Sequence, residues 1–297
     1  MELYILTGIY NDTVNGNRKT LKNDLEIKAI ASDTSAQYQI ISDDMKLSAF
    51  GMSTLDVDIS YTGRAADFAQ VGDFVFVLGK HPQFFQITET QADYERKIIS
   101  LSCESYIDFF NNTKVAHERP DTWPADTFLG AMQYNIFGSV PVSMGIDETD
   151  AKKRKAVINA DANITEGLNA LAEAFEMYWT FRYSLGSSSN RRGIALNIII
   201  DVRSKLMMST DGEMLTVGNE IHNFHVTEND QGVNYECECS VDVELGAVYT
   251  LRDVEEGLTD TCICLELERS ETAGTSRPTF GSALISRNAF VVMARNV

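Results

Sequence analysis

The sequence lacks the segments that take a protein into or across a membrane. No stretch approaches the roughly 18–20 consecutive apolar residues of a membrane-spanning helix. The N-terminal Met1–Tyr4 shows neither the basic region nor the apolar run of a secretion signal. We therefore expect a protein that is made in the cytoplasm and has no stable membrane insertion.

Cysteine, proline and glycine are also scarce. Five cysteines in 297 residues are an odd number and too few for a disulfide framework. Five prolines and 19 glycines exclude a collagen-like chain, and 44% hydrophobic residues exclude a largely disordered one. The length suits about two folded domains, at roughly 100–200 residues each.

Positive charge is the third shortage. The chain has 25 lysines and arginines against 43 aspartates and glutamates, for a net charge of −18. Such a surface repels phosphate groups, so we expect no specific binding of nucleic acid.

Residues 1–115 show mainly strand signals, which are short alternating or β-branched runs between polar turns. The pattern is clearest in Leu55–Tyr61, where every second residue is apolar. Asn11–Asp24 is rich in Asn, Asp and Gly and is predicted to be an exposed hairpin loop. The predicted strands are Leu3–Ile9, Leu25–Ala31, Gln37–Ser42, Leu55–Tyr61, Asp73–Leu78, Phe84–Thr88 and Lys97–Cys103. They favour a first β-barrel domain.

Residues 116–209 predict an α+β domain. Pro124 suits the first turn of a helix that carries Phe128, Leu129 and Met132. Apolar residues at spacings of three and four predict a second helix over Ile164–Tyr178, capped by Asp161 or Asn163. An alternating strand from Trp179 to Tyr183, a polar turn over Gly186–Gly193 and an apolar strand over Ile194–Ile200 follow.

Residues 210–297 return to strand patterns. The predicted strands are Tyr235–Leu245, Val248–Leu251, Thr261–Leu267 and Ala289–Ala294. Phe85–Glu89 and Phe224–Glu228 are similar in sequence, and each leads into a polar turn and a strand, which suggests an internal repeat. The predicted class is α+β, mainly β, with two β-barrel-like domains flanking an inserted α+β domain.

The sequence shows no catalytic or cofactor motif. It has no nucleophile elbow, zinc-protease motif, phosphate-binding loop or dinucleotide glycine motif. Cys237/Cys239 and Cys262/Cys264 could together supply four thiolates to zinc, but a spacing of one residue favours small core residues on one strand face. The spacing of His222 and His225 would suit a metal only on a helix, and their surroundings indicate a strand. We expect no enzyme, no metal and no cofactor.

The basic run Lys152, Lys153, Arg154 and Lys155 stands out in an acidic chain. Its ordinary interpretation is a solvated loop. The functional alternative is a subunit contact with an acidic surface of a neighbouring subunit.

The order of the features resembles one family. Val71–Leu78, Phe84–Ile87 and Lys97–Phe110 are similar to the closing strands of the first barrel of baseplate hub proteins of tailed phages. Ile164–Tyr183 resembles their α+β segment, and Leu215–Phe224 resembles the start of their second barrel. The family includes the N-terminal structural module of tail-associated lysin (Tal) proteins and the central hub of contractile tails.

The resemblance implies a structural hub of a phage or prophage tail tip, made in the host cytoplasm. Three copies would form a ring whose two barrels per chain match a sixfold tail tube. The expected partners are a tail-tube ring or distal tail protein and a receptor-binding protein, and DNA would pass without specific binding. No C-terminal hydrolase region follows, which argues against lytic activity. The alternatives are a host-recognition or carbohydrate-binding module, with surface aromatics such as Trp123 and Trp179 stacking on sugars, and the structural module of a tail-associated endopeptidase. Trp179 follows a core helix in an alternating strand, which favours its burial, whereas Trp123 lies between two turn-forming residues.

Overall fold

The computed structural model describes residues 1–11, 20–48, 52–63, 68–78, 82–106, 108–140, 142–187, 193–204, 213–229 and 232–282. Within these ranges the chain is α+β and mainly β, as predicted. Sixteen strands are connected by pairing, and the few helices lie between the seventh and ninth strands.

The first seven strands form a closed barrel. Each pairs with two others in the order β1-β2-β3-β4-β7-β6-β5, and β5 pairs with β1 to close the ring. The contact between β2 and β3 is a single parallel pair, Ser32 with Gln39. The strands are β1 Glu2–Asn11, β2 Thr20–Ser32, β3 Tyr38–Ser48, β4 Thr54–Tyr61, β5 Phe74–Leu78, β6 Gln83–Asp93 and β7 Ile98–Ser105.

The alternation of β1 and β5 explains how the barrel is covered. Leu3 and Ile5 of β1 point into the barrel, whereas the buried Leu6 packs with the α+β region. In β5, Val75 and Val77 are inside, and the intervening phenylalanines lie under the α+β region. An apolar run without alternation therefore marks a strand that is buried on both faces.

The α+β region packs on that outer face. Its sheet has the order β9-β10-β8, and β10 also pairs with the first barrel through Gly193–Ala195 opposite Asp24–Glu26 of β2. The elements are α1 Asp108–Asn112, α2 Phe128–Ala131, a π-helix Met132–Phe137, β8 Val142–Asp147, α3 Ile164–Phe175, β9 Tyr178–Ser187 and β10 Gly193–Arg203.

The helix α3 confirms the predicted apolar stripe and one of its two predicted caps. The Asn163 side chain accepts a hydrogen bond from the Glu166 N–H at 2.8 Å, and Glu166 accepts one from the Asn163 N–H at 3.0 Å. This reciprocal pair is a capping box. The helix ends at Phe175, three residues earlier than predicted, because Glu176 is left-handed at φ 56°.

The remaining strands form a second, barrel-like sheet. Their order is β12-β13-β16-β15-β14-β11, and a single bridge between Val217 and Ile221 joins its two ends. The strands are β11 Glu213–Thr216, β12 Ile221–Asn229, β13 Gly232–Cys239, β14 Val248–Asp253, β15 Leu258–Ser270 and β16 Thr275–Ser282.

The two barrels are fused by an antiparallel pairing of β3 with β15. Four residues of each strand take part, from Met45 opposite Arg269 to Ser48 opposite Glu266. Both strands change partner here, and each has a register shift where it does so, after Ile40 in β3 and after Cys264 in β15. A bulge bends a strand, so it lets one strand serve two sheets.

The same strand order occurs in both barrels. The first contains β3-β4-β7-β6-β5 and the second contains β12-β13-β16-β15-β14, with every pairing antiparallel. The suspected repeat therefore has a structural counterpart, but with a different correspondence. The sequence comparison matches β6–β7 with β12–β13, whereas the strand order matches β6–β7 with β15–β16.

The hairpins β6–β7 and β15–β16 match in detail. The register shift after Ile87 corresponds to the one after Cys264. Each hairpin closes on a four-residue turn whose last residue has a positive φ, 57° at Lys97 and 66° at Gly274. The two hairpins therefore have similar backbone geometry, although their side chains are almost entirely different.

Several predicted boundaries are wrong. The predicted Asn11–Asp24 loop is too long, because Asn11 belongs to β1 and Thr20–Asp24 belong to β2. The rest of that predicted loop, residues 12–19, lies outside the described residues. The helix predicted from Pro124 begins at Phe128 because Thr127 caps it by accepting from the Gly130 N–H. The strand predicted over Tyr235–Leu245 ends at Cys239.

Four strands were not among the predicted ones, namely β8, β11, β12 and β16. In β16, Pro278 and Gly281 hide the strand signal, because both residues are uncommon inside strands. Pro278 lies just beyond the last residue of β16 that pairs with β13, so its only strand-pairing partner is on β15. The predicted strand Ala289–Ala294 lies outside the described residues.

We predict that the junction of the barrels is a main source of stability. Leu267 and Leu47 oppose each other there, and both are buried. Leu267→Ala should lower the free energy of unfolding by about 2–5 kcal/mol, the usual cost of a buried leucine truncation. Leu265→Ala, on the opposite face of the same strand and only half-buried, is the matched control. Equal losses in urea denaturation would contradict this prediction.

Candidate functional site

The basic run Lys152–Lys155 is largely engaged within the chain. Arg154 donates to Asp150 at 2.9 Å, and its guanidinium lies 5.1 Å from the centre of the Phe175 ring. Lys152 is 3.8 Å from the same carboxylate, and Lys155 donates to the Asp121 carbonyl at 3.3 Å. Burial acts to raise the pKa of Asp150, but the hydrogen bonds and charge of Arg154, together with the backbone N–H and charge of Lys152, outweigh it, so this pKa is lowered.

Arg154 has a further structural role. Its backbone forms a bridge with Asp126 at the start of the segment that leads into α2. Lys153 is exposed and makes no ion pair within the described residues. Of the four cations, Lys153 is therefore the one that a neighbouring subunit could contact at least cost, and the subunit contact of this run stays a prediction.

The cysteines of the second barrel lie in or beside its core. Cys262 and Cys264 are buried, and their thiols face the backbone carbonyls of Tyr249 and Glu266. Burial raises the pKa of Cys262 to about 12 and raises the pKa of Cys264 further. Cys103, in the first barrel, is also buried, and burial raises its thiol pKa.

Cys237 and Cys239 form a pair with different surroundings. Their sulfur atoms are 3.9 Å apart; Cys237 is buried and Cys239 is half-buried. The hydrogen bond between the two sulfurs lowers the pKa of Cys239 and raises that of Cys237, which burial raises further. Within the described ranges, no group of three or more His, Cys, Asp or Glu side chains is placed to hold a metal ion.

His222 and His225 lie on β12, and Trp179 lies on β9, so the fold places them on different strands. His222 and His225 are exposed on β12, opposite Glu238 and Glu236 of β13. Trp179 is buried, and its Nε1 donates to Asn169 Oδ1 at 2.9 Å, so it cannot stack on a sugar. The alternative in which Trp179 stacks on a sugar is therefore wrong, and the burial that its alternating strand favours is confirmed, because its strand lies under α3.

A cleft of about 670 Å³ lies along the barrel junction. Carboxylates of β13 and β15 and the cations Lys46 and Arg277 line it. Arg277 lies 3.1 Å from Glu238 and 3.9 Å from Glu268, so it pairs with two of the four carboxylates. The four carboxylates outnumber the two cations, so the cleft carries a net negative charge.

In the two barrels, β6 and β12 each have an edge that is largely unpaired among the residues that the structure describes, and in the α+β sheet β8 and β9 pair only with β10. The strand β5 pairs only with Gln83–Gln86 of β6. Beyond Ile87, β6 therefore pairs only with β7. Apart from the bridge at Ile221, β12 pairs only with β13. In the repeated strand order, β6 of the first barrel has the position of β15 in the second, and β12 of the second barrel has the position of β3 in the first. Because β3 and β15 pair at the junction, the unpaired edges of β6 and β12 correspond to that pair.

These edges carry the geometry that the sequence analysis missed. Glu89–Ala92 of β6 corresponds to Glu266–Arg269 of β15, which pairs with β3. Val226 on β12 is 55% exposed. The one available sequence signal was the suspected repeat, and its correspondence was shifted by one hairpin.

We predict that Cys239 is the reactive cysteine of the folded protein. Because its pKa is lowered, its alkylation by iodoacetamide should become fast at a lower pH than that of an ordinary thiol. Cys237→Ala removes the hydrogen bond and should shift the pH–rate profile of Cys239 upward, whereas Cys103→Ala should not. Mass spectrometry after alkylation of the native protein locates the label, and modification first at Cys262 or Cys264 would contradict the prediction.

Comparison with known proteins identifies the fold. No family profile matches the chain, and no curated protein matches it by sequence.

No helix among the described residues is long and apolar enough to span a membrane.

Solved structures of tail proteins are similar to this chain. A 43 kDa tail protein of prophage MuSo2 from Shewanella oneidensis has a TM-score of 0.54 at 10% identity, covering 98% of this chain and all of its own. Prophage tail protein gp18 from Listeria monocytogenes has a TM-score of 0.52 at 10% identity, covering 93% of this chain and 96% of its own. A tail protein from Neisseria meningitidis has a TM-score of 0.51 at 10% identity, covering 83% of this chain and 97% of its own. The chain therefore has the fold of phage tail proteins, which is the fold that its resemblance to baseplate hub proteins implied.

Proposed function

We propose that the protein is a non-enzymatic hub of a phage or prophage tail tip, in which three copies form a ring that adapts or closes a sixfold tail tube. The proposed parts are a first barrel over 1–115, an α+β domain over 116–209 and a second barrel over 210–297. The observation that carries the proposal is the repeated strand order, because two similar barrels per chain give six similar units in a trimer.

The free edges supply a way to close the ring. Within one chain, β3 of the first barrel pairs with β15 of the second. The equivalent contact between chains would join β12 of one copy to β6 of the next. Contacts within and between chains would then alternate around the ring, and each copy would use one free edge of each kind. Covering exposed edges also removes a route to aggregation.

The charge of the chain suits a channel for DNA. Three chains of −18 each carry −54 together. Such a ring would repel phosphate and let DNA pass without specific binding. The proposed partners are a tail-tube ring or distal tail protein and a receptor-binding protein, and the proposed location is the virion tail tip.

We predict a trimer that is strengthened by moderate salt. The acidic chains repel one another, and the Debye length shrinks to about 8 Å near 0.15 M ionic strength, which screens that repulsion. Light scattering should show a growing trimer fraction as sodium chloride rises from low to physiological concentration. A strict monomer at high protein concentration and moderate salt would count against the hub.

Matched variants separate the edge contact from the trimer itself. Val226→Asp adds a charge to the free edge of β12 and should weaken association by about tenfold or more. Val254→Asp makes the same change at a valine that is 65% exposed in the β14–β15 turn, and it should leave association unchanged. In the same assay, Lys153→Glu reports on the basic run. A trimer that tolerates Val226→Asp would keep the hub and remove the β12–β6 contact.

We further predict that the purified protein hydrolyses neither peptidoglycan nor common peptide and ester substrates. The thiols of Cys103, Cys237, Cys262 and Cys264 have raised pKa values, so they lack the activation that a cysteine nucleophile needs. The pKa of Cys239 is lowered by the hydrogen bond with the Cys237 thiol and not by a histidine base. Zymography on bacterial cell walls is the test. Clearing that disappears on substitution of a single Cys, Asp or Glu would instead support the endopeptidase alternative.

A further inference from the structure

Three aromatic side chains form a cluster on the surface of the α+β region. The rings of His117 and Tyr134 are stacked, with centroids 4.6 Å apart and planes 22° apart. The Trp123 ring lies 6.2 Å from Tyr134 at 35°. Tyr134 is 55% exposed, His117 is exposed and Trp123 is half-buried. We call these three residues the aromatic platform.

A buried polar network holds the platform in place. Arg119 is 3% exposed, donates to Asn135 at 3.2 Å and lies 5.6 Å from the centre of the Trp123 ring. Asn135 is fully buried, its side chain donates to the Glu118 carbonyl at 3.2 Å, and its backbone carbonyl accepts from the His117 N–H at 2.9 Å. The network therefore holds Trp123 and the backbone on either side of the Tyr134 ring in place, which reduces the entropy cost of binding.

The π-helix Met132–Phe137 presents Tyr134 on this surface. Helices of this kind are rare and occur often at functional sites. The helix ends at Gly138, which has φ 55° and lies so close to Ala116 that an added Cβ would be 2.6 Å from the Ala116 Cβ. Glycine at this position brings the backbone within contact distance of the segment that carries His117.

An open depression of about 690 Å³ adjoins the platform. It is lined by Ala116, His117, Gly130, Gln133, Tyr134, Gly138 and Ser139. An amide, a hydroxyl, a phenol and an imidazole are thus available as hydrogen-bonding groups. Among the described residues that line it there is no lysine, arginine or carboxylate.

This set of groups selects a class of ligand. A flat aromatic face binds a flat apolar face, and the neutral polar groups beside it bind hydroxyl or amide groups. With no cation in the depression and a net charge of −18 on the chain, a phosphate or carboxylate would be bound poorly. A neutral pyranose has both required features, an apolar ring face and a rim of hydroxyl groups.

We propose that the aromatic platform and its depression form a binding site for a neutral saccharide, with one pyranose ring stacked on Tyr134. Trp123 borders the stacking surface, while Gln133 and Ser139 bind the hydroxyl groups. The site goes beyond the hub function: none of its residues belongs to the free edges of β6 and β12, so saccharide binding and ring formation can succeed or fail separately.

Saturation-transfer NMR on the full-length protein tests the site. The probes are the methyl glycosides of glucose, galactose and N-acetylglucosamine at about 10 mM, a range that detects the millimolar affinities expected of one sugar ring. Glucuronic acid is the anionic control. We expect transfer from the protein to the ring protons of at least one neutral glycoside and much weaker transfer to glucuronic acid.

Three variants show whether the platform is responsible. Tyr134→Ala should weaken binding about tenfold, because it removes the aromatic face, and Tyr134→Phe should keep most of it. Tyr94→Ala removes a tyrosine that is 72% exposed in the β6–β7 turn and should leave binding unchanged. Circular dichroism confirms that each variant is folded.

The proposal is overturned if the wild-type protein gives no transfer to any neutral glycoside. Transfer that persists in folded Tyr134→Ala, or that is equally strong to glucuronic acid, would also overturn it. The oligomeric state, measured on the same samples by light scattering, reports separately on the hub.

Discussion

The pairing of β3 with β15, at a point where each strand changes its neighbour along one edge, sets how the two barrels are joined. A strand has only two edges, yet each of these strands contacts three neighbours, because a bulge divides it into segments that pair differently. The consequence is one hydrophobic core that runs through both barrels, from Leu3 in the first to Phe280 in the second. The two barrels are therefore held in a fixed relation by backbone hydrogen bonds as well as by side-chain packing.

The α+β region is joined to the first barrel in the same way, by a strand that pairs with three neighbours. β2 pairs with β10 near Leu25 and with β3 at Ser32, so it joins the first barrel to the sheet of the inserted region. Phenylalanines on the outer face of β5 continue the packing into a second core beneath α3. The strands β1 and β5 of the first barrel are thus packed on both faces, and the α+β region covers this part of the barrel's outer surface.

The repeated strand order links this architecture to the proposed role. One copy of the contact between barrels is satisfied within the chain, and the corresponding edges of β6 and β12 have no partner among the described residues. A chain built this way has unlike ends that match each other, which favours a closed ring over an isolated molecule. The similarity to solved tail proteins supports the fold, and the ring remains our proposal.

Local structure and the class of fold could be predicted from the sequence. Periodicity and capping predicted α3 to within a few residues, and alternating or β-branched runs predicted β4, β5 and β9, because each signal depends on neighbours along the chain. The tertiary structure was needed to establish which edges pair and that His117, Trp123 and Tyr134 form one surface. These are contacts between residues far apart in sequence or on different elements, so no local pattern records them. The strand β16, with its proline and glycine, is ordered by β15 and β13 on either side, against its own propensity.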